Sequence, residues 1–152
     1  MSIQSDIKKK MTDAAKARDA VSLSVLRGLS AAFTNELVAK GKSSTSELSD
    51  NDALSVIKRQ TKQRRDSIEQ FEKGGRKDLA DNERVELVML EKMLPAEMPR
   101  EEIVKIAQAK KAALGVTDKS KIGILVGAVL KETKGRAGGA TVKAVVEELL
   151  GA

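Results

Sequence analysis

Apolar residues recur at intervals of three or four along nearly the whole chain, which is the spacing of one buried face of an α-helix. Ile3, Ile7 and Met11 form one such stripe, and Leu29 and Phe33 belong to the next. Lys, Glu, Arg and Ala are abundant, and this composition favours helices over sheets. The sequence therefore predicts an all-α fold of about seven helices.

Polar residues and glycines bound the predicted helices. Ser2, Asp19 and Ser49 each precede an apolar stripe, and all three are residue types that cap helix N-termini. Gly41 and Gly115 follow stripes, where glycine ends a helix because it tolerates positive φ. The stripe of the long helix that begins at Ser49 thins around the polar residues Thr61 and Arg64 before Gly74-Gly75 ends it.

The two prolines of the chain, Pro95 and Pro99, lie in one short segment that predicts a domain boundary. The prediction is an N-terminal helical domain of about four helices, residues 1–94, followed by a three-helix tail domain, residues 95–152. Within the tail we expect helices over 100–114, 119–133 and 141–150, the second of them stopped by Gly135.

The composition removes several classes of function. The 152 residues include no Cys and no His, so the chain has no disulfide, zinc cluster, thiol nucleophile or imidazole base. The carboxylates Glu83, Glu86 and Glu91 of the fourth helix are expected to form a solvated face rather than a metal site. The sequence thus predicts no catalytic residue, no metal and no cofactor.

Hydropathy bears on the location of the chain. No run approaches the ~20 apolar residues of a membrane span, and the first residues are polar rather than typical of a secretory signal. We expect no membrane partner and a cytoplasmic location.

The net charge of +6 is unevenly distributed. Residues 58–77 carry 8 basic and 3 acidic groups (+5), residues 78–98 carry 2 and 6 (−4), and residues 99–152 carry 10 and 6 (+4). A basic surface suits a polyanion such as RNA or DNA, although a solvated basic surface is the alternative. If the positive charge has a function, the distribution indicates two places for it.

One of these places is the helix that carries Lys62, Arg64 and Arg65. These residues are candidates for binding a phosphate or an acidic partner. The alternative is a solvated face on which the cations pair along the same helix with Asp66, Glu69 and Glu72.

The other place is the glycine-rich segment of the tail. Gly123 and Gly127 make one flat side on a short helix, which predicts tight helix packing or, alternatively, the close approach of a phosphodiester. In the following loop, glycine backbone N–H groups and the start of the next helix favour an anion, unless the glycines only stop the helix. The loop region contains Lys131, Lys134, Gly135, Arg136, Gly138 and Gly139.

Several motifs occur in an order that resembles the YqeY family of small bacterial proteins. They are Leu23-Ser-Val-Leu-Arg27, Lys62-Gln-Arg-Arg-Asp-Ser-Ile-Glu-Gln-Phe71, Gly75-Arg-Lys-Asp-Leu79 and Leu90-Glu-Lys-Met-Leu-Pro95. The segments Leu125-Val-Gly-Ala-Val-Leu-Lys131, Lys134-Gly-Arg136 and Val145-Val-Glu-Glu-Leu-Leu150 resemble the tail domain of the B subunit of the tRNA-dependent amidotransferase.

The resemblance implies an all-α protein whose tail contacts tRNA. In the amidotransferase the tail helps to hold tRNA, and the matching residues here are Lys131, Lys134, Gly135 and Arg136. The resemblance also carries the label of a carbon–nitrogen ligase with glutamine as amido-N donor, an activity that no residue of this chain supports.

Three functional hypotheses follow. The leading one is a non-catalytic accessory protein that binds tRNA or another structured RNA through its basic tail residues. The second is a helical protein–protein adapter for an amidotransferase or a synthetase, which would dock through the surface around Thr61 and Arg64 or through the Gly123/Gly127 side. The third is an amide-transferring enzyme.

Overall fold

The structure of the chain, a computed structural model, describes residues 1–134 and 136–151. These residues form seven α-helices and one 3₁₀ turn with no strand among them, so the prediction of an all-α protein is confirmed. The elements are α1 (Ile3–Lys16), α2 (Ala20–Ala39), α3 (Asp50–Lys73), α4 (Lys77–Glu91), α5 (Arg100–Leu114), the 3₁₀ turn (Lys119–Lys121), α6 (Ile122–Thr133) and α7 (Gly139–Leu149).

The first three helices begin where the sequence predicts. The side chains of Ser2, Asp19 and Ser49 accept hydrogen bonds from backbone N–H groups of the first turns of α1, α2 and α3. Each cap satisfies a donor that has no partner within the helix, and it sets where the helix starts.

Glycines end several helices in the left-handed conformation. Gly41, Gly75 and Gly115 have φ values of 69°, 72° and 65° and follow α2, α3 and α5. The predicted stop at Gly135 lies outside the described residues. The residue before it, Lys134, is itself left-handed, with a φ of 49°.

Two compact units divide the chain, Met1–Leu94 and Pro95–Ala152. The N-terminal unit contains α1–α4, and its core includes Phe33 and Leu37 of α2, which are fully buried. Gln4 is a buried polar residue of this unit, and its Oε1 accepts the Leu48 N–H at 2.7 Å, so the burial leaves this oxygen satisfied.

The C-terminal unit contains α5–α7 around a small aliphatic core. The core is formed by Ile103, Ala107, Val116, Leu125, Val129, Ala137, Val142, Val145 and Val146. One face of α6 supplies Leu125 and Val129 to this core, so its opposite face is directed away from the core.

Within the part of the chain that the structure describes, no helix combines the length and the apolar character needed to cross a membrane.

Candidate nucleic-acid interface

Three cations predicted as a site surround the connection between α6 and α7. Lys131 lies in the last turn of α6, Lys134 caps the helix, and Arg136 follows in the loop. All three are exposed. The Lys131 and Lys134 side chains form no hydrogen bond or ion pair with any described residue, so both ammonium groups are available to a ligand. Gly135, predicted as part of the same site, lies outside the described residues.

Backbone hydrogen bonds hold Arg136, the last of the three cations, in place. The Arg136 N–H donates to the Thr133 carbonyl at 3.0 Å, and the Arg136 carbonyl accepts the Met98 N–H at 2.7 Å. Ala137 is buried in the core of the unit. The Arg136 Nε also lies 3.4 Å from the Ala96 carbonyl oxygen. Arg136 is therefore bonded both to the end of α6 and to the segment that precedes α5.

The N-terminus of α7 opens onto the same loop. Gly138 is its N-cap, no side chain caps it, and its first turn contains no acidic residue. Its first N–H groups have no partner within a helix, and the helix dipole places partial positive charge there. Such a terminus favours an anion. The predicted start at Thr141 was wrong, because the helix already begins at Gly139.

The outer face of α6 continues this surface. A Cβ atom built on Gly123 or Gly127 would meet no atom within 4 Å, so the prediction that these glycines pack tightly against another helix was wrong within the described residues. The reason is that α6 packs through Leu125 and Val129 on its other side. The glycines instead leave a flat exposed strip beside Ile124, which is 59% exposed.

Carboxylates do not neutralise the three cations. Glu132 is next to Lys131 in sequence, but it pairs with Lys110 at 3.5 Å. Glu97 lies in the segment that bonds Arg136, and it forms no ion pair with the cations. The positive charge of the loop is thus uncompensated among the residues that the structure describes.

The second predicted set of cations has a different environment. Arg64 donates to both oxygens of Glu83, at 3.2 and 2.9 Å, and its Nη2 lies 2.8 Å from Glu86 Oε2. Arg65 pairs with Glu91 at 2.6 Å. Lys62 is exposed and has no such partner among the described residues. Two of the three candidates therefore already have carboxylate partners within the chain.

The expected pairing along α3 was mostly wrong. Only Glu69 pairs within the helix, with Lys73 at 2.6 Å, whereas Glu72 pairs with Arg84 of α4. The cause is that α4 lies along α3 and presents its own carboxylates to the arginines. The signal in the sequence was the succession of a +5 block and a −4 block, which complement each other when two consecutive helices pack side by side.

The thinned stripe of α3 is explained by the same contact. Thr61 is buried, and its hydroxyl donates to the Lys58 carbonyl at 2.7 Å. Arg64 forms ion pairs with Glu83 and Glu86 of α4.

Among the described residues, no three His, Cys, Asp or Glu side chains are grouped so as to hold a metal ion.

Comparison with known proteins supplies the family context. The family model described as "Yqey-like protein" matches residues 4–150. The chain is also 37% identical over 93 residues to an uncharacterized protein of the fission yeast Schizosaccharomyces pombe. The matched part is 61% of this chain and 72% of the yeast protein.

Proposed function

This chain belongs to the YqeY-like protein family, and from its tail surface we propose that it is a non-catalytic accessory protein that binds tRNA or another structured RNA. The observation that carries the proposal is the α6–α7 connection. Three exposed cations, Lys131, Lys134 and Arg136, lie there beside a helix N-terminus that no side chain caps, and backbone hydrogen bonds hold Arg136 in place. Lysine, arginine and backbone N–H groups are the donors that proteins use for phosphate.

The scarcity of exposed aromatic residues indicates how the chain would bind RNA. Phe33 and Phe71 are the aromatic residues of the chain, and Phe33 is buried while Phe71 is partly buried. Recognition of splayed single-stranded bases uses exposed aromatic platforms. We therefore propose contacts to the phosphate backbone and to the shape of the RNA, with the flat strip at Gly123 and Gly127 allowing close approach.

A charge reversal of the tail site tests the proposal. Lys131→Glu/Lys134→Glu/Arg136→Glu is compared with Lys8→Glu/Lys42→Glu/Lys77→Glu, a control with the same change in net charge at exposed cations of the N-terminal unit. Crosslinking to cellular RNA is expected to be lost in the tail variant and retained in the control, while circular dichroism shows both folded. Unchanged crosslinking of the tail variant would contradict the proposed site and redirect attention to Lys62, Arg64 and Arg65.

One observation favours the adapter as a second candidate. Ile124 is an exposed apolar residue beside Gly123 and Gly127, and a helix of a partner protein could pack on this strip as readily as an RNA backbone. Pull-down with and without ribonuclease separates the two functions. Retention of one amidotransferase or synthetase after removal of RNA would favour the adapter.

The proposal gives the chain no chemical step of its own. The family label of a glutamine-dependent carbon–nitrogen ligase predicts that the purified chain releases ammonia when supplied with glutamine and a charged tRNA. We expect no release above the background of a buffer control, and turnover that survives further purification would contradict the proposal.

A further inference from the structure

Arg136 is the cation of the proposed site whose side chain is itself bonded to the protein. Its Nε donates to the Ala96 carbonyl at 3.4 Å, and its own carbonyl accepts the Met98 N–H at 2.7 Å. The Lys131 and Lys134 side chains have no such bond to a residue that the structure describes. Arg136 is therefore held by residues far from it in sequence, whereas the two lysines are held only through the end of α6.

The residues that hold Arg136 lie at the start of the C-terminal unit. Pro95 is the first residue of this unit, and residues 95–99 form no helix, strand or turn. Met98 is half-buried and packs against the aliphatic core of the unit. It is followed by Pro99, the N-cap of α5. Core contacts on one side and α5 on the other thus determine where Met98 lies.

The contact leaves the end of the Arg136 side chain available to a ligand. A guanidinium group has five N–H donors in a planar fork, and the bond to Ala96 uses only the one on Nε. Nη1 and Nη2 form no hydrogen bond or ion pair within the described part of the chain. These nitrogens can bind two oxygens of one phosphate. Because Nε is already bonded, less rotamer freedom is lost when they do so.

The contact also differs from a phosphate contact in its response to salt. The bond from the Met98 N–H to the Arg136 carbonyl joins two uncharged groups, so salt does not screen it as it screens ion pairs. Glu97, between Ala96 and Met98, is exposed, and its side chain has no partner among the residues described. The segment therefore holds Arg136 through its backbone and not through charge.

We propose that Ala96 and Met98 are positioning residues of the RNA site, which hold Arg136 where its Nη1 and Nη2 bind one phosphate of the RNA backbone. This inference rests on the proposed RNA-binding function and adds to the site a segment without a cation. Coupling between two equilibria is reciprocal. An RNA phosphate on Arg136 therefore stabilises the hydrogen bond from the Met98 N–H in turn.

Two substitutions at Met98 separate the N–H donor from the side chain. Met98→Ala removes the core contact and keeps the donor, whereas Met98→Pro removes both. The residue before a proline is extended, a conformation that proline itself adopts. With an in vitro transcribed tRNA near 0.1 M salt, Met98→Pro is expected to bind about three- to tenfold more weakly than Met98→Ala, with a log–log salt slope shallower by about one.

Coupling to Arg136 distinguishes positioning from a general effect on the fold. In an Arg136→Gln background, Met98→Pro is expected to bind as well as Met98→Ala, because the contact that the donor positions is already gone. Lys131→Gln is the matched control background, since it also removes one exposed cation, and there the difference between the Met98 variants should persist. The same difference in both backgrounds would show that the Met98 N–H supports only the fold, which contradicts the proposal.

Hydrogen exchange of the wild-type chain is a test that needs no variant. Saturating tRNA is expected to slow exchange of the Met98 N–H about three- to tenfold, the factor by which that bond strengthens binding. The Lys42 N–H, which donates to the Leu37 carbonyl at 2.9 Å in the N-terminal unit, is the control and should keep its rate. An unchanged rate at Met98 would overturn the inference.

The outcomes separate this inference from the function on which it rests. If the wild-type chain shows no salt-dependent binding of tRNA, the proposed function is wrong. If the wild type binds and Arg136→Gln weakens binding, while Met98→Pro binds as tightly as Met98→Ala, the positioning role is wrong and the function stands.

Discussion

At the scale of single residues, the arginines of α3 differ in what surrounds them. Arg64 is 29% exposed and binds the carboxylates of Glu83 and Glu86, whereas Arg65 is 59% exposed and binds Glu91 alone. Water screens an exposed pair and competes for its hydrogen bonds, so such a pair contributes little to stability. A partly buried arginine between two carboxylates contributes more, because its removal leaves both of them without a partner.

This difference predicts unequal effects of the same substitution. Arg64→Met is expected to lower the free energy of unfolding by about 1–2 kcal/mol, and Arg65→Met by less than about 0.5 kcal/mol. Urea unfolding followed by circular dichroism measures both. If Arg64→Met lowers the free energy of unfolding as little as Arg65→Met does, the contact between α3 and α4 does not depend on Arg64.

The dependence of folding stability on acid pH is also set by single residues. The hydrogen bond from Lys40, at 2.7 Å, and the one with Ser49 lower the pKa of Asp52 below its ordinary value. Its ionised form is favoured in the folded state, so this stabilisation is present above the unfolded-state pKa of about 4 and is lost as the pH falls through the lower folded-state pKa.

We therefore expect Asp52→Asn to be less stable than the wild type at pH 6 and to approach it as the pH falls below about 4. Melting temperatures measured at half-unit intervals between pH 6 and pH 3 follow the convergence. A constant difference across this range would contradict the assignment.

At the scale of helices, replacing either of two glycines of the C-terminal unit by alanine is expected to change the free energy of unfolding in opposite directions. Gly127 lies inside α6 with no atom near its missing Cβ, whereas Gly115 is left-handed after α5. Gly127→Ala is expected to raise the free energy of unfolding by about 0.5–1 kcal/mol through helix propensity. Gly115→Ala is expected to lower it by about 1 kcal/mol through strain.

Denaturant unfolding of the two variants checks the signs. If the flat strip of α6 contacts RNA, Gly127→Ala should also weaken RNA binding although it stabilises the protein. A variant that gains stability and keeps full affinity would remove the strip from the proposed interface.

Local signals in the sequence predicted much of the helical structure. The caps Ser2, Asp19 and Ser49 and the stop at Gly115 depend on a few neighbouring residues, which is why they could be identified. The start of α7 at Gly139 was missed because glycine is a poor helix former, although it serves well at an N-terminus.

Features that depend on which faces meet could not be predicted in this way. The pairing of Arg64 with Glu83 requires knowing that α4 lies along α3. The sequence pattern of Gly123 and Gly127 is the same whether another helix or solvent covers that side of α6. The left-handed conformation of Lys134 was hidden because the adjacent Gly135 was the more obvious helix stop.

At the scale of the whole molecule, ion pairs between helices cancel much of the charge of the two central blocks. The blocks 58–77 (+5) and 78–98 (−4) sum to +1, and their charges meet in the ion pairs between α3 and α4. Residues 1–57 contribute +1 and residues 99–152 contribute +4, which gives the total of +6. Most of the net positive charge therefore belongs to the tail, where Lys131 and Lys134 have no partner among the described residues.

The salt dependence of RNA binding tests the central claim most directly. Fluorescence anisotropy with a labelled tRNA should give a log–log slope of affinity against salt of roughly −3 to −5, as expected for about four to six phosphate contacts. The Lys131→Glu/Lys134→Glu/Arg136→Glu variant should bind much more weakly and with a shallower slope. A flat salt response of the wild type, or a variant that binds as the wild type does, would contradict the account.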